Sequence, residues 1–169
     1  MLTGFIKAFW TICTFNSAPQ NLPASWTLLG ITAVGYFAVS LMIAALQLGG
    51  AHAFPAALLD VVLLSALTRA VLWVRMFGER FVQTLTALTG TGALLGLVAV
   101  PVVAWHQRAQ ASGSDASLPA LMLLAWMAWD LAVIAYILRH ALSTVFYVGA
   151  ALALVYAYIA YRLTTVLFY

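Results

Sequence analysis

The sequence has few charged residues and almost no cysteine. Only 7% of its 169 residues are Asp, Glu, Lys or Arg, whereas a soluble domain carries roughly 25%. A small soluble domain keeps too much surface exposed to hide a composition that is 66% hydrophobic. The single Cys13 excludes an intrachain disulfide and offers no cysteine cluster for a metal. The composition therefore excludes a soluble fold and makes the lipid bilayer the chain's first partner.

What the sequence does contain is five long apolar runs. A transmembrane helix needs about 20 mostly apolar residues. Separated by turn residues, the predicted spans are approximately 24–47, 55–75, 82–105, 118–138 and 144–166. Pro55 and Pro119 fall at span starts, where a missing N–H does no harm, and Pro101 falls inside the third span. We therefore predict an all-α integral membrane protein with five transmembrane helices in one domain, residues 24–166.

The segment before the first span has a different pattern. Its apolar run, Leu2 to Phe15, is too short to cross a bilayer. Polar side chains recur on one helical face, at Thr3, Lys7, Thr11 and Thr14. This pattern predicts an amphipathic helix over residues 1–18 that lies in the membrane surface. A cleaved signal peptide is the alternative, but the segment has one basic residue and no clear small-residue cleavage site before Pro19.

The basic residues are distributed unevenly between the two sides of the predicted bundle. The side of the N-terminus carries four of them and the opposite side two: Lys7, Arg75, Arg80 and Arg139 against Arg108 and Arg162. Since cytoplasmic loops carry the excess of Lys and Arg, we expect a cytoplasmic N-terminus and a C-terminus on the outer side. The net charge of +3 reports this orientation, and we expect no nucleic-acid partner.

Four ionisable residues lie inside the predicted spans: Asp60, Arg69, Asp130 and Arg162. Each costs about 2.5–3.5 kcal/mol at the bilayer centre unless it is paired or faces water. Their depths along the helices predict two ion pairs, Arg69–Asp130 and Asp60–Arg162. One interpretation is that these pairs hold the register of the bundle, and the other is that they line a polar pathway or substrate site. Arg162 also has the alternative of extending alone to the headgroups.

The third span carries a face of small residues. Thr89, Gly92 and Gly96 share one side of the helix, and Gly92 and Gly96 have the spacing that lets two helix backbones approach closely. Packing against another helix of the same chain is the favoured interpretation. Homodimerisation through this face and a hydroxyl-lined conduit are the alternatives.

The sequence carries no catalytic or cofactor motif. His52, His106 and His140 all fall at span boundaries, whereas a haem needs histidines that face each other inside the bundle. No serine-nucleophile, zinc-protease or phosphate-loop motif is present in the sequence. We therefore expect no enzyme, no metal and no cofactor.

Two stretches resemble the YIP family, whose members are named for interaction with Rab-type GTPases. FGERFVQTLTALTGTGALLGLVAVPV (Phe77–Val102) is similar to the family's loop and third span. WDLAVIAYILRHAL (Trp129–Leu142) is similar to its fourth span and exit loop. The resemblance covers roughly residues 26–166. It implies a five-span topology with a cytoplasmic N-terminus.

Eukaryotic members of that family act in vesicle traffic between endoplasmic reticulum and Golgi. They carry a long cytosolic N-terminal region, whereas about 25 residues precede the first span here. We therefore do not carry the GTPase-binding role over to this chain, and we transfer no functional residue. The Ala/Leu/Val-rich spans fit a bacterial branch, located in the inner membrane with a periplasmic C-terminus.

Two functions of different classes follow from these observations. The favoured one is a non-enzymatic structural or interaction protein that packs against a membrane partner or a second copy of itself. The alternative is a small transporter or channel-like subunit that uses Asp60, Arg69, Asp130 and Arg162. A wet cavity that reaches Asp130 favours transport, and a dry, sealed ion pair favours the structural role.

Overall fold

The computed structural model describes residues 2–168, without the side chains of Leu2, Thr3 and Phe5. Within this range the chain forms six α-helices and no strand: α1 (Leu2–Cys13), α2 (Trp26–Leu48), α3 (Gly50–Val74), α4 (Phe81–Ala111), α5 (Ser117–Ala141) and α6 (Phe146–Phe168). Short 3-10 turns at Pro19–Asn21 and Gly78–Arg80 precede α2 and α4.

Helices α2 to α6 are all long and apolar enough to cross a membrane. The predicted fold class, an all-α protein with five membrane spans, is thereby confirmed, and the chain is a multi-pass membrane protein. Long apolar runs separated by short turns form this architecture, because in lipid the backbone N–H and C=O groups must bond to each other, as they do within a helix.

The second span starts earlier than the sequence predicted. Gly49 adopts a positive φ of 78° and separates α2 from α3 by one residue. Helix α3 therefore begins at Gly50, five residues before Pro55, and the proline lies inside the helix. The prediction that Pro55 starts a span is wrong, because glycine permits the turn without help from the proline. Pro101 lies inside α4, as expected.

Helix α4 is the most enclosed span. It contacts α2, α3 and α5, and the remaining contacts of α2 with α3, α3 with α6 and α6 with α5 complete a ring. Half of the apolar stretch of α4 is buried, compared with 6% of that of α6. A polar or small residue on α4 therefore faces protein far more often than lipid.

The contact of α2 with α4, which we call the α2–α4 seam, contains the predicted small-residue face. Its residues are Thr32, Tyr36 and Val39 on α2 and Thr89, Gly92 and Gly96 on α4. The Thr89 hydroxyl donates to Thr32 Oγ1 at 2.9 Å. A β carbon at Gly92 would overlap the Tyr36 ring. The face is therefore filled by α2 of the same chain and is not free for a second copy.

Helix α1 packs its apolar edge on α4 and α5. Phe9, Ile12 and Cys13 are buried, and the Phe9 ring occupies the space where Gly90 of α4 has no side chain. The Trp129 Nε1–H of α5 donates to the Cys13 carbonyl at 3.0 Å. The predicted amphipathic segment is thus a helix, but the surface that covers its apolar edge is protein.

The predicted polar face of α1 is partly turned back onto its own helix. The hydroxyl of Thr11 donates to Ala8 O at 2.8 Å, and that of Thr14 donates to Trp10 O at 3.1 Å. Lys7 is exposed. Thr3, the fourth residue of that face, lies outside the described side chains.

Side chains close the bundle at the end where α5 terminates. The last carbonyls of a helix have no partner within it. Arg80 Nη1 donates to Ala141 O at 3.0 Å and to Ser143 Oγ at 2.9 Å. Gln20 Nε2 donates to His140 O at 3.1 Å. The segments before α2 and before α4 are therefore tied to α5 at the side of the bundle that also holds the N-terminal region.

Candidate functional site

A cavity of about 310 Å³ lies between the five spans. Each of α2 to α6 contributes to its wall. The polar or aromatic residues of the wall are Tyr36, Ser40, Gln47, Asp60, Thr91, Trp126, Asp130, Tyr156 and Thr164. Its volume falls at the lower end of the range for small-molecule sites, about 300–1,000 Å³.

The wall of the cavity carries charge of one sign. Asp60 and Asp130 both line it, and its lining contains no Arg, Lys or His. The wall extends through Ser40 and Thr164 to Gln47, an exposed residue in the last turn of α2. Two carboxylates without a basic neighbour favour the entry of a cation and oppose that of an anion.

The Asp60 carboxylate is held by three hydroxyl groups, which we call the hydroxyl cluster. Tyr36 and Ser40 of α2 donate to Oδ2 at 2.7 and 2.8 Å. Tyr156 of α6 donates to Oδ1 at 2.9 Å. Hydrogen bonds to an ionised acceptor are stronger than neutral ones. The cluster therefore ties α2, α3 and α6 together around one side of the cavity.

The Asp130 carboxylate has no such support. No hydrogen bond from the described residues goes to it, and the side chain is half-buried at the cavity wall. One helical turn earlier, Trp126 also lines the cavity, and its Nε1–H donates to Leu95 O of α4 at 2.9 Å. Asp130 is thus an acceptor that the fold leaves open beside an indole that the fold holds in place.

The structure does not form the two ion pairs that depth matching predicted. Arg69 is exposed, and its guanidinium lies over the Phe81 ring with 5.6 Å to the centroid. Arg162 is exposed on α6, and Asp60 binds Tyr156 of that helix instead. No basic side chain of the described part of the chain lies within 4.0 Å of either carboxylate.

The predicted ion pairs do not form because Asp60 lies deeper in the bundle than the sequence predicted. Because α3 begins at Gly50, Asp60 lies ten residues from its start, a depth of about 15 Å. Asp130 lies thirteen residues after Ser117, a depth of about 20 Å from the same side. The two carboxylates are therefore neighbours in depth. Arg69, on the opposite face of α3 from Asp60, is directed away from the cavity.

Sequence reasoning missed the hydroxyl cluster. Tyr36 and Ser40 are four residues apart on one face of an apolar helix, which is a detectable signal. Tyr156 is one of several tyrosines in α6, so nothing in the sequence singles it out. The three donors come from two helices, and their convergence on Asp60 depends on the packing of the whole bundle.

Two groups outside the spans have perturbed ionisation. Burial raises the pKa of the Cys13 thiol to about 11, and the negative charge of Asp130 acts in the same direction. The backbone N–H of Ser117 donates to the exposed Asp115 carboxylate at 2.9 Å and holds its pKa below the usual value. The Cys13 thiol is therefore protonated and unreactive at neutral pH.

The three histidines lie on three different helices. His52 of α3 contacts the Phe168 ring, His106 of α4 contacts Gln110, and the His140 ring of α5 contacts the Tyr136 carbonyl. Among the described residues no three His, Cys, Asp or Glu side chains come together as metal ligands would.

Comparison of the chain with protein-family models, with curated proteins and with solved structures gives no match.

Proposed function

We propose that this chain binds a cation inside its five-helix bundle and acts as a small transporter or channel-like subunit. The observation that carries the proposal is Asp130, a carboxylate at mid-membrane depth that borders a cavity and accepts no hydrogen bond from the described residues. An unpaired charge at this depth is costly. A cation bound in the cavity would offset that cost.

A sealed ion pair would have favoured the expected role as a structural or interaction protein. Both arginines of the predicted pairs are exposed, and the packing of α4 on α2 uses glycines instead. The carboxylates are thus not needed as partners for arginine. The cavity at Asp130 favours the transport alternative, and we propose a non-enzymatic role of that kind.

We further propose that the protein is a YIP-like member of a bacterial branch in the inner membrane, with its N-terminus in the cytoplasm. The uneven basic residues support this orientation. In it, the Gln47 end of the cavity wall, beside the α2–α3 turn, faces the periplasm. Reporter fusions after Gln110 and after Tyr169 should both report the periplasmic side. A cytoplasmic signal at Tyr169 would contradict the topology.

The charge selectivity of the cavity can be tested without knowing the ligand. In a Cys13→Ser background, Ala160→Cys places a thiol in the cavity wall, and Ser114→Cys places one in the exposed loop between α4 and α5. Each variant is treated with a cationic and with an anionic methanethiosulfonate reagent. We expect the cation-to-anion rate ratio at position 160 to exceed that at position 114 about tenfold.

Asp130→Asn should reduce the cation-to-anion rate ratio at position 160. Asp115→Asn, the matched change in the exposed loop, should leave the ratio at position 160 unchanged. Equal ratios at positions 160 and 114, or a ratio that Asp130→Asn leaves unchanged, would contradict the proposal. A thiol at position 160 that reacts with neither reagent would show a sealed interior and would favour the structural role.

A further inference from the structure

The cavity also contains the features that distinguish an organic cation from an inorganic one. Trp126 and Asp130 lie four residues apart on α5, and both line the cavity. Side chains at this spacing are neighbours on one helix face, with β carbons about 5–6 Å apart. A negative charge and an aromatic ring therefore stand side by side in the same wall.

The hydrogen bond of Trp126 decides what its ring offers the cavity. Its Nε1–H is already donated to Leu95 O at 2.9 Å. The indole therefore has no donor left for a ligand and presents only its π system. The face of a tryptophan ring attracts ammonium groups more strongly than that of any other side chain. An ammonium beside Asp130 would thus be attracted by both groups.

The aliphatic part of the wall suits an apolar body more than a bare metal ion. This part includes Leu88 and Ile134, and Ile134 lies one helical turn after Asp130 on α5. Calcium and magnesium ions need several oxygen ligands, and the oxygens of Asp60 already accept three hydroxyl groups. The volume of about 310 Å³ equals that of about ten water molecules. This is far more than one inorganic ion fills.

We propose that the ligand is a small organic monocation of the ammonium class, with its nitrogen between the Asp130 carboxylate and the Trp126 ring. The inference rests on the proposed function and names its substrate class. One open carboxylate matches one positive charge, since the second carboxylate is engaged in the hydroxyl cluster. Aliphatic substituents on the nitrogen would fill the apolar part of the cavity.

The test compares choline with its neutral carbon analogue 3,3-dimethyl-1-butanol, which has the same shape without the charge. Purified wild-type protein is heated with a thiol-reactive coumarin maleimide, which labels the buried Cys13 as the chain unfolds. Tetramethylammonium, sodium and potassium chlorides are compared at one ionic strength. We expect choline and tetramethylammonium to raise the labelling midpoint, and the neutral analogue, sodium and potassium to leave it unchanged.

Variants locate the site. Asp130→Asn should abolish the choline shift, whereas Asp130→Glu, which keeps the charge, should retain it. Trp126→Leu should weaken choline binding about tenfold and Trp126→Phe less. Trp105→Leu, a matched change at an exposed position on α4, should have no effect. The midpoint without ligand shows in each case whether the variant is folded.

The outcomes separate this inference from the proposed function. A shift by sodium or potassium but not by the ammonium ions would overturn the substrate class and leave cation binding in place. An equal shift by the neutral analogue would show that the cavity is filled by apolar groups regardless of charge, and would overturn the inference. No shift with any cation would contradict both.

Discussion

The α2–α4 seam and the cavity share four residues, Tyr36, Val39, Gly92 and Gly96, and yet have opposite properties. Tyr36 lays its ring where Gly92 has no side chain, and its hydroxyl donates to Asp60 on the cavity side. The seam is built from small residues that bring two backbones together. The cavity is a space of about 310 Å³ that holds two carboxylates.

The difference separates stability from function in this bundle. Lipid tails are as apolar as leucine, so helices in a membrane are held by close packing and hydrogen bonds more than by hydrophobic burial. The seam supplies that packing. The Asp60 and Asp130 carboxylates therefore do not have to hold the helices together through ion pairs, and both line the cavity. Seam variants should therefore lower stability, and variants of Asp130 should lower ligand binding.

The largest expected effect is that of overpacking the seam. Gly92→Val forces a branched side chain into the Tyr36 ring. We expect a loss of about 3 kcal/mol in the free energy of unfolding, measured by SDS titration. The matched control is Gly30→Val on α2, where a β carbon meets nothing within 4 Å. Equal losses for the two variants would mean that the contact does not stabilise the bundle.

Removing one hydroxyl of the hydroxyl cluster should have an intermediate effect. Tyr36→Phe keeps the ring in the seam and removes the bond to Asp60 Oδ2. We expect a loss of about 1–2 kcal/mol, because a charged acceptor loses one donor and retains two. Tyr158→Phe, at a site on α6 that is 65% exposed, should change the same SDS titration little. An unchanged free energy of unfolding for Tyr36→Phe would mean that the hydroxyl cluster does not stabilise the bundle.

A smaller effect is expected for Arg69. Arg69→Ala removes a cation–π contact with Phe81 at an exposed site, which is worth about 0.5–1 kcal/mol. Since Arg69 and Asp130 are not partners, the double replacement by alanine should equal the sum of the single ones within about 0.5 kcal/mol. A loss in the double variant much smaller than that sum would show that Arg69 and Asp130 do form an ion pair.

The smallest expected effect is the change in stability with pH that comes from the Cys13 thiol. Its folded pKa of about 11 lies above the ordinary thiol value of 9.0, so its contribution to stability is complete below pH 9 and decreases as the pH rises toward 11. Iodoacetamide labelling of the folded protein should be slow at pH 8 and accelerate up to about pH 11. Ser114→Cys, in the exposed loop, provides the ordinary profile. Matching profiles would show that the thiol is not buried.

The sequence was sufficient to predict the five spans, because a long apolar run specifies a transmembrane helix without reference to its neighbours. It also indicated that Thr89, Gly92 and Gly96 would pack on another helix, which is α2 in the structure. Both features depend on the residues of a single helix. This is why they could be recognised without knowing how the helices are arranged.

The site depends on how the helices are arranged, and there the sequence was insufficient. Depth along a helix was available, but the direction in which each helix turns its charge was not. A five-residue error at Pro55 placed Asp60 near the boundary and matched it with Arg162. The hydroxyl donors of Asp60 come from α2 and α6, which no local pattern connects. The unpaired Asp130 follows from the same packing.

Equilibrium binding of radiolabelled choline to the purified protein tests the central claim most directly. We predict one saturable site per chain in the wild type and in Asp115→Asn, and no saturable binding in Asp130→Asn. Thr89→Val, in the α2–α4 seam but outside the cavity wall, should reduce the folded fraction but not the affinity of the protein that remains folded. Choline binding by Asp130→Asn with wild-type affinity would contradict the account.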